Sequence, residues 1–137
     1  VFLDAVERRY IEELGGMNIF FAFDDGSLST PPLGTILPGI TRDSIIALAR
    51  DSGTRLREEP YTIDQWRADA ASGRLKEAFA CGTAAVISPI GKVCSASGDF
   101  LINGGAAGPV AMGLRKTLVD IQYGRVADPH NWIRKVF

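Results

Sequence analysis

The sequence predicts an α+β fold in which short antiparallel hairpins accompany three helices. Two observations predict the hairpins: strand-like runs flank Gly15-Gly16-Met17, and Asp25-Gly26 gives a tight-turn signal inside an apolar stretch. A third predicts the helices, because three amphipathic segments each carry their own start and stop residues. Strands that pair by hairpin rather than through crossovers argue against a doubly wound nucleotide fold.

Taken in order, the opening Val1–Asp4 is apolar enough to read as a strand already under way. Tyr10–Glu13 and Asn18–Phe23 read as the next two strands, and Ser27–Thr30 as a third that Pro31-Pro32 brings to an end. The first helix is expected from about Arg42 to Ser52. Thr41 would be its N-cap, Ile45, Ile46, Leu48 and Ala49 its apolar face, and Gly53 its stop. The second has the strongest local signature: Thr62 and Gln65 stand in the capping-box relation, and Gly73 closes the helix. The third is expected from Pro109 to about Tyr123, with Val110, Leu114, Leu118 and Ile121 on one face and Gly124 beyond the end. Between the last two helices, EAFACGT, AAVISPIGKV and DFLING are strand-like. No internal repeat or low-complexity segment interrupts this order.

At 137 residues the chain is one domain or part of one, and the missing initiator Met together with the apolar start suggests a piece of a longer protein. With 46% hydrophobic residues, 23% charged and a net charge of -1, it has no basic patch to suggest nucleic acid or an anionic membrane as partner. No apolar run approaches the roughly 18 residues of a membrane span, and no leader is evident, so a cytoplasmic location is expected. Cys81 and Cys94, with twelve residues between them, match no zinc or redox spacing and read as free thiols. His130, the single histidine, is expected to be exposed and without a catalytic partner. Neither a nucleophilic triad nor a metal site has support.

Four stretches could carry chemistry. LPGITR (37–42) is either a plain helix entry or an anion site, in which Gly39 lets a ligand approach and the N–H groups of Ile40 and Thr41 point at a phosphate. CGTAA (81–85) is either tight small-residue packing or a strand end whose Thr83 hydroxyl and N–H groups hold a phosphate or carboxylate. In IEELGGMN (11–18), Glu12 and Glu13 alternate faces, so one should point inward and need a positive partner or a proton, unless both lie at an exposed strand end. INGGAAGPV (102–110) is a weaker anion-loop candidate ahead of the third helix.

Together, VFLDAVERRYIEELGGMNIFF, STPPLGTILPGITRDSI, EAFACGTAAVISPIG and GPVAMGLRKTLVDIQYGR closely resemble the second half of the large domain of branched-chain amino-acid aminotransferases. These are fold-type IV pyridoxal 5'-phosphate enzymes, and the resemblance covers nearly the whole chain. It implies mixed, largely antiparallel sheets forming a pseudo-barrel with flanking helices. Residues 1–137 would be the C-terminal portion of the cofactor-binding large domain. It implies that Glu13 faces the pyridine nitrogen, that Leu37 packs on the ring, and that Ile40 and Thr41, beside Gly39, give N–H groups to the phosphate. Thr83 would add its hydroxyl there, and the Thr83 and Ala84 amides would hold the substrate carboxylate. Asn18 and Met17 would support this set from behind.

The implied reaction is amino transfer between Leu, Ile or Val and 2-oxoglutarate, in a homodimer. The family's Schiff-base lysine, its ring-hydroxyl Tyr, its phosphate Arg and its small N-terminal domain would lie before Val1, since the first lysine here is Lys76. The segment by itself is therefore expected to be inactive. The Cys-x-x-Cys pair of mammalian members is replaced by Ala85 and Ser88. D-amino-acid transaminases and aminodeoxychorismate lyases share the cofactor logic, and a non-enzymatic phosphate-binding module would also explain LPGITR and CGTAA, though it would leave Glu13 without a task.

Overall fold

Asn18–Phe23 is buried along its whole length, and a strand without an exposed face needs cover on both sides. The computed structural model, which describes residues 1–136, supplies that cover. In chain order its elements are β1 (Phe2–Leu3), β2 (Ile11–Glu13), β3 (Asn18–Phe23), β4 (Leu28–Thr30), α1 (Ile40–Asp51), β5 (Leu56–Glu58), α2 (Ile63–Ser72), β6 (Leu75–Gly82), β7 (Val86–Pro89), β8 (Lys92–Val93), β9 (Phe100–Leu101) and α3 (Pro109–Gln122). A five-stranded sheet runs β5-β4-β3-β6-β7, and β1-β2 and β8-β9 form two-stranded ribbons. Within the sheet the β4–β5 pair is parallel and the others are antiparallel, so it is mixed and largely antiparallel as expected. Among the described residues the strands close no barrel, because the sheet keeps β5 and β7 as edges.

The period-2 alternation of β3 divides the core. Ile19, Phe21 and Phe23 pack with Trp66 of α2 and with Val93 and Ile102, whereas Phe20 packs with Ile45 and Ile46 of α1, Phe79 and Ala111 of α3. Aromatic contacts mark both faces: Phe21 meets Trp66 edge-on at 5.2 Å, and Phe20 stacks on Phe79 at 5.4 Å. The register between β3 and β6 shifts between Ala22 and Phe23, where Ala22 faces Glu77 but Phe23 faces Leu75. That bulge returns Leu75 to the same core face as Ala78.

The local signals are obeyed where they are self-contained. At α2 both bonds of the Thr62–Gln65 box form, and Gly73 takes the left-handed conformation at φ 78°. The Asp25-Gly26 turn closes the β3–β4 hairpin, with Gly26 at φ 76° and Phe23 N–H donating to Ser27 O at 2.9 Å. Three expectations need correction, and one strand was not foreseen. Thr41 is not an N-cap, because α1 begins two residues earlier than expected with Gly39 in the cap position, leaving Thr41 inside the first turn. Val110 is exposed and Ala111 takes its place against the core, because the start of α3 is fastened to β6. Tyr10 and Ser27 fall just outside the strands expected to include them. Finally, β5 is a strand without a sequence signal: three residues rich in charge, Leu-Arg-Glu, carry no apolar alternation.

Candidate functional site

The two candidate anion loops meet at one cleft. Its volume is about 290 Å³, and its walls are Gly16 and Asn18, the 37–41 stretch of Leu37, Pro38, Gly39, Ile40 and Thr41, and Cys81, Gly82 and Thr83. The sheet explains the meeting, because Asn18 opens β3 directly opposite Cys81 near the end of β6. α1 then rises on the same face of the sheet, with Ile45 packed against Phe20 and Cys81. None of the lining residues is charged. Any anion held here must rely on N–H groups, hydroxyls and the helix dipole.

The helix starts differ in what occupies them. At α2, Thr62 Oγ1 accepts from Gln65 N–H at 3.1 Å. At α3, the buried Glu77 carboxylate accepts from the N–H groups of Val110 at 2.9 Å and Ala111 at 2.8 Å. That bond answers the INGGAAGPV stretch: its helix terminus is filled by the chain's own carboxylate, thirty-three residues away. A Cβ on Gly108 would sit 2.0 Å from the Glu77 carboxyl carbon, so a glycine is needed there to admit it. At α1 no side chain caps the helix, and the N–H groups of Ile40, Thr41 and Arg42 find no acceptor among the described residues.

Around that open terminus, Asn18 is 4% exposed and donates through Nδ2 to Leu37 O at 2.9 Å. Gly39 has φ −72° and ψ 133°, a conformation open to any residue, yet a Cβ there would lie 2.2 Å from Asn18 Oδ1. The glycine thus makes room for a neighbouring side chain, where the sequence suggested room for a ligand. Gly82 similarly faces Met17, whose Cγ would lie 3.2 Å from an added Cβ. Leu37 and Ile40 are exposed, as are Thr83 and Ala84, which lie in the turn beyond β6. Ala84 does not line the cleft.

Arg42, buried beneath the first turn of α1, donates through Nη2 to Pro31 O at 3.0 Å and to Glu58 Oε2 at 2.8 Å, joining α1 to the ends of β4 and β5. Burial pushes the Cys81 thiol up to about 12, against the opposing pull of the Arg42 guanidinium. Cys81 and Cys94 are both free, the first buried and the second exposed.

Glu12 and Glu13 do part company. Glu12 accepts from the Thr35 hydroxyl, whereas Glu13 Oε2 is buried without a hydrogen-bond partner. Glu13 is not among the residues lining the cleft. A larger cavity, about 390 Å³, lies beside Asp4, Tyr10, Glu12 and Thr35. Its polar groups are already engaged: Asp4 accepts from Glu7, Arg9 and Tyr10 N–H groups, which with Arg8 outweigh burial and bring its carboxyl down to about 2. His130 departs from expectation. It is half-buried, with Nε2 2.6 Å from Asp51 Oδ2 and its ring stacked on Trp132.

Residues 3–93, which contain the whole cleft, match the Amino-transferase class IV family. This chain belongs to that family. Among class IV aminotransferases, it is 52% identical to a branched-chain-amino-acid aminotransferase of Mycobacterium tuberculosis, matched over 99% of this chain and 38% of that protein. It is 49% identical to the enzyme of the same name from Mycolicibacterium smegmatis, with the same coverage, 99% and 38%. The chain therefore spans about two fifths of the length of these relatives. Its fold follows the branched-chain amino acid aminotransferase of Escherichia coli with a TM-score of 0.80 at 33% identity, covering 98% of this chain and 41% of that one. The branched-chain aminotransferase of the thermophilic archaeon Thermoproteus uzoniensis, solved with norvaline, gives a TM-score of 0.77 at 33% identity, covering 98% and 40%.

The class IV aminotransferase signals legible in the sequence were the loop segments themselves. Missed were the contacts between them: the Gly39–Asn18 fit, Cys81 and Gly82 as a wall, and Gly16 at the mouth.

Proposed function

We propose that this chain forms the phosphate-side wall of a pyridoxal 5'-phosphate site, and that the full-length protein transfers amino groups between Leu, Ile or Val and 2-oxoglutarate. The observation that carries this reading is the cleft itself, where an uncapped helix N-terminus and a strand-end threonine converge without any charged side chain. The names of the relatives support the substrate class. Two structures of one further branched-chain amino acid aminotransferase, solved with pyridoxamine 5'-phosphate and with N-(5'-phosphopyridoxyl)-L-glutamate, support the cofactor.

The residues present fit that cofactor. N–H groups in line with a helix dipole, plus a hydroxyl, suit a phosphate dianion. The buried, unpartnered Glu13 Oε2 suits a protonated ring nitrogen, since a carboxylate in that setting calls for a positive partner. When bound, the cofactor supplies an electron-withdrawing ring that lets the substrate's α-carbon release its proton. The chain's own part is then binding and orientation. Ile40 and Thr41 donate N–H groups to the phosphate from the first turn of α1, and Thr83 donates its hydroxyl from the opposite wall. Leu37 packs on the ring beside Gly39. Glu13 holds a proton at the ring nitrogen. The Thr83 and Ala84 N–H groups, exposed in their turn, hold the substrate carboxylate. The lysine that carries the cofactor belongs to a part of the protein outside these residues. Residues 1–137 on their own are accordingly inactive, and the full subunit acts as a cytoplasmic homodimer.

Thr83→Val in the full-length protein keeps side-chain volume and removes the hydroxyl. It should weaken pyridoxal 5'-phosphate binding about tenfold or more, the scale of a hydrogen bond to a charged group, and lower transamination of Leu, Ile and Val with 2-oxoglutarate. Wild-type protein that binds no pyridoxal 5'-phosphate would refute the cofactor reading. Wild-type protein active only on D-amino acids or aminodeoxychorismate would refute the substrate reading.

A further inference from the structure

We propose that Asn18 is a positioning residue that sets the open N-terminus of α1 against the Thr83 wall, with Gly39 as its required counterpart. Asn18 belongs to neither anion loop, yet it touches both walls. Its backbone is locked into the sheet opposite Cys81, two residues before Thr83, so its Cα is fixed relative to the end of β6. Its side chain crosses to the other wall, where Nδ2 donates to Leu37 O at 2.9 Å. Its Oδ1 occupies the volume a Gly39 Cβ would fill, 2.2 Å from where that atom would stand. One amide thus holds the residues just before Ile40 by a bond on one side and by contact on the other.

The alternative reason for Gly39, backbone freedom, does not apply at φ −72°. Helix α1 has no side-chain cap of its own to fix where its first turn begins. Arg42 and the apolar face of Ile45, Ile46 and Ala49 secure the body of the helix, while Asn18 bonds the loop at Leu37, two residues before the cap position. At 4% exposure the amide is shielded from competing water, so its bond and its fit both count in full.

This inference rests on reading the cleft as the cofactor's phosphate site, and two measurements on the full-length protein keep the two apart. The first is amide hydrogen exchange of cofactor-free protein across 37–44. Asn18→Ala should speed exchange at Asp43, whose N–H donates to Gly39 O at 3.0 Å, about tenfold, the scale of one lost buried hydrogen bond, while α2 amides remain as protected as in wild type. The second is pyridoxal 5'-phosphate affinity, which should fall by a similar factor together with a shifted 31P resonance of the bound phosphate. Gly39→Ala attacks the same contact from the other side and leaves β3 intact, so it tests the claim even where Asn18→Ala folds poorly. The two substitutions should be strongly non-additive, with Asn18→Ala/Gly39→Ala binding the cofactor no worse than Asn18→Ala alone. Additive effects, or unchanged exchange at Asp43 in both single variants, would overturn the positioning role. Changed exchange in a wild-type background that binds no pyridoxal 5'-phosphate would sustain the Asn18 clamp and refute the cofactor reading instead.

Discussion

At the scale of single residues, the side chains that matter most are those whose needs the chain does not meet by itself. Glu13 leaves a carboxylate oxygen buried and unpaired, an arrangement that costs free energy unless a cation or a proton arrives. If that partner is the ring nitrogen, Glu13→Gln in the full-length protein should retain cofactor and lose turnover by ~100-fold or more, the scale of removing one preorganised electrostatic contact. Steady-state kinetics with matched cofactor occupancy measures this, and unchanged turnover would remove the role. Cys81 presents the opposite case, a group whose neutral form the fold protects. Its thiol is raised from 9.0 to about 12 by burial. Folded protein should therefore leave Cys81 unmodified by a thiolate-selective reagent at pH 8, as read by mass mapping. The sign of the stability effect follows: a raised folded pKa contributes stability that is whole below pH 9 and is lost as pH rises towards 12. Cys81→Ala should flatten that alkaline decline in urea-unfolding measurements made across the same window.

At the scale of elements, the three helix starts show how far local sequence can be read. The α2 box forms as expected because both partners lie within four residues of each other. Thr62→Ala should cost about 1 kcal/mol, the usual loss of an N-cap, in denaturant unfolding. Unchanged stability would show that the box contributes nothing beyond what water could replace. Thr41 before an amphipathic run looks like the same device, yet Gly39 takes the cap position and Thr41 is drawn into the helix. The deciding contact, Asn18 against Gly39, joins residues twenty-one apart and leaves no local trace. The start of α3 is hidden in the same way, since its acceptor Glu77 lies on β6, thirty-three residues before Val110, in register with Ala22. β5 is illegible in sequence because its pairing with β4 is made by backbone groups, which a charged Leu-Arg-Glu does not advertise.

At the scale of the whole molecule, the sheet separates support from chemistry. On one face α2 and the β8-β9 ribbon enclose Trp66, fully buried against Phe21 and Phe100; on the other α1 and α3 pack, and the start of α1 meets the ends of β3 and β6 at the cleft. Trp66→Ala should cost about 3–5 kcal/mol by calorimetry or urea unfolding, as large aromatic truncations do. The motifs marked the two candidate anion loops because their backbone chemistry is local, whereas their convergence depended on the β3–β6 register that places Asn18 beside Cys81. Leu37 at 61% and Ile40 at 78% exposure leave apolar surface along the cleft. The most direct test of the account is a crystal structure of the full-length protein with pyridoxal 5'-phosphate. Phosphate oxygens should lie about 3 Å from the Ile40 and Thr41 nitrogens and from Thr83 Oγ1, with Glu13 on the ring nitrogen. A phosphate held elsewhere, with the first turn of α1 facing only water, would contradict it.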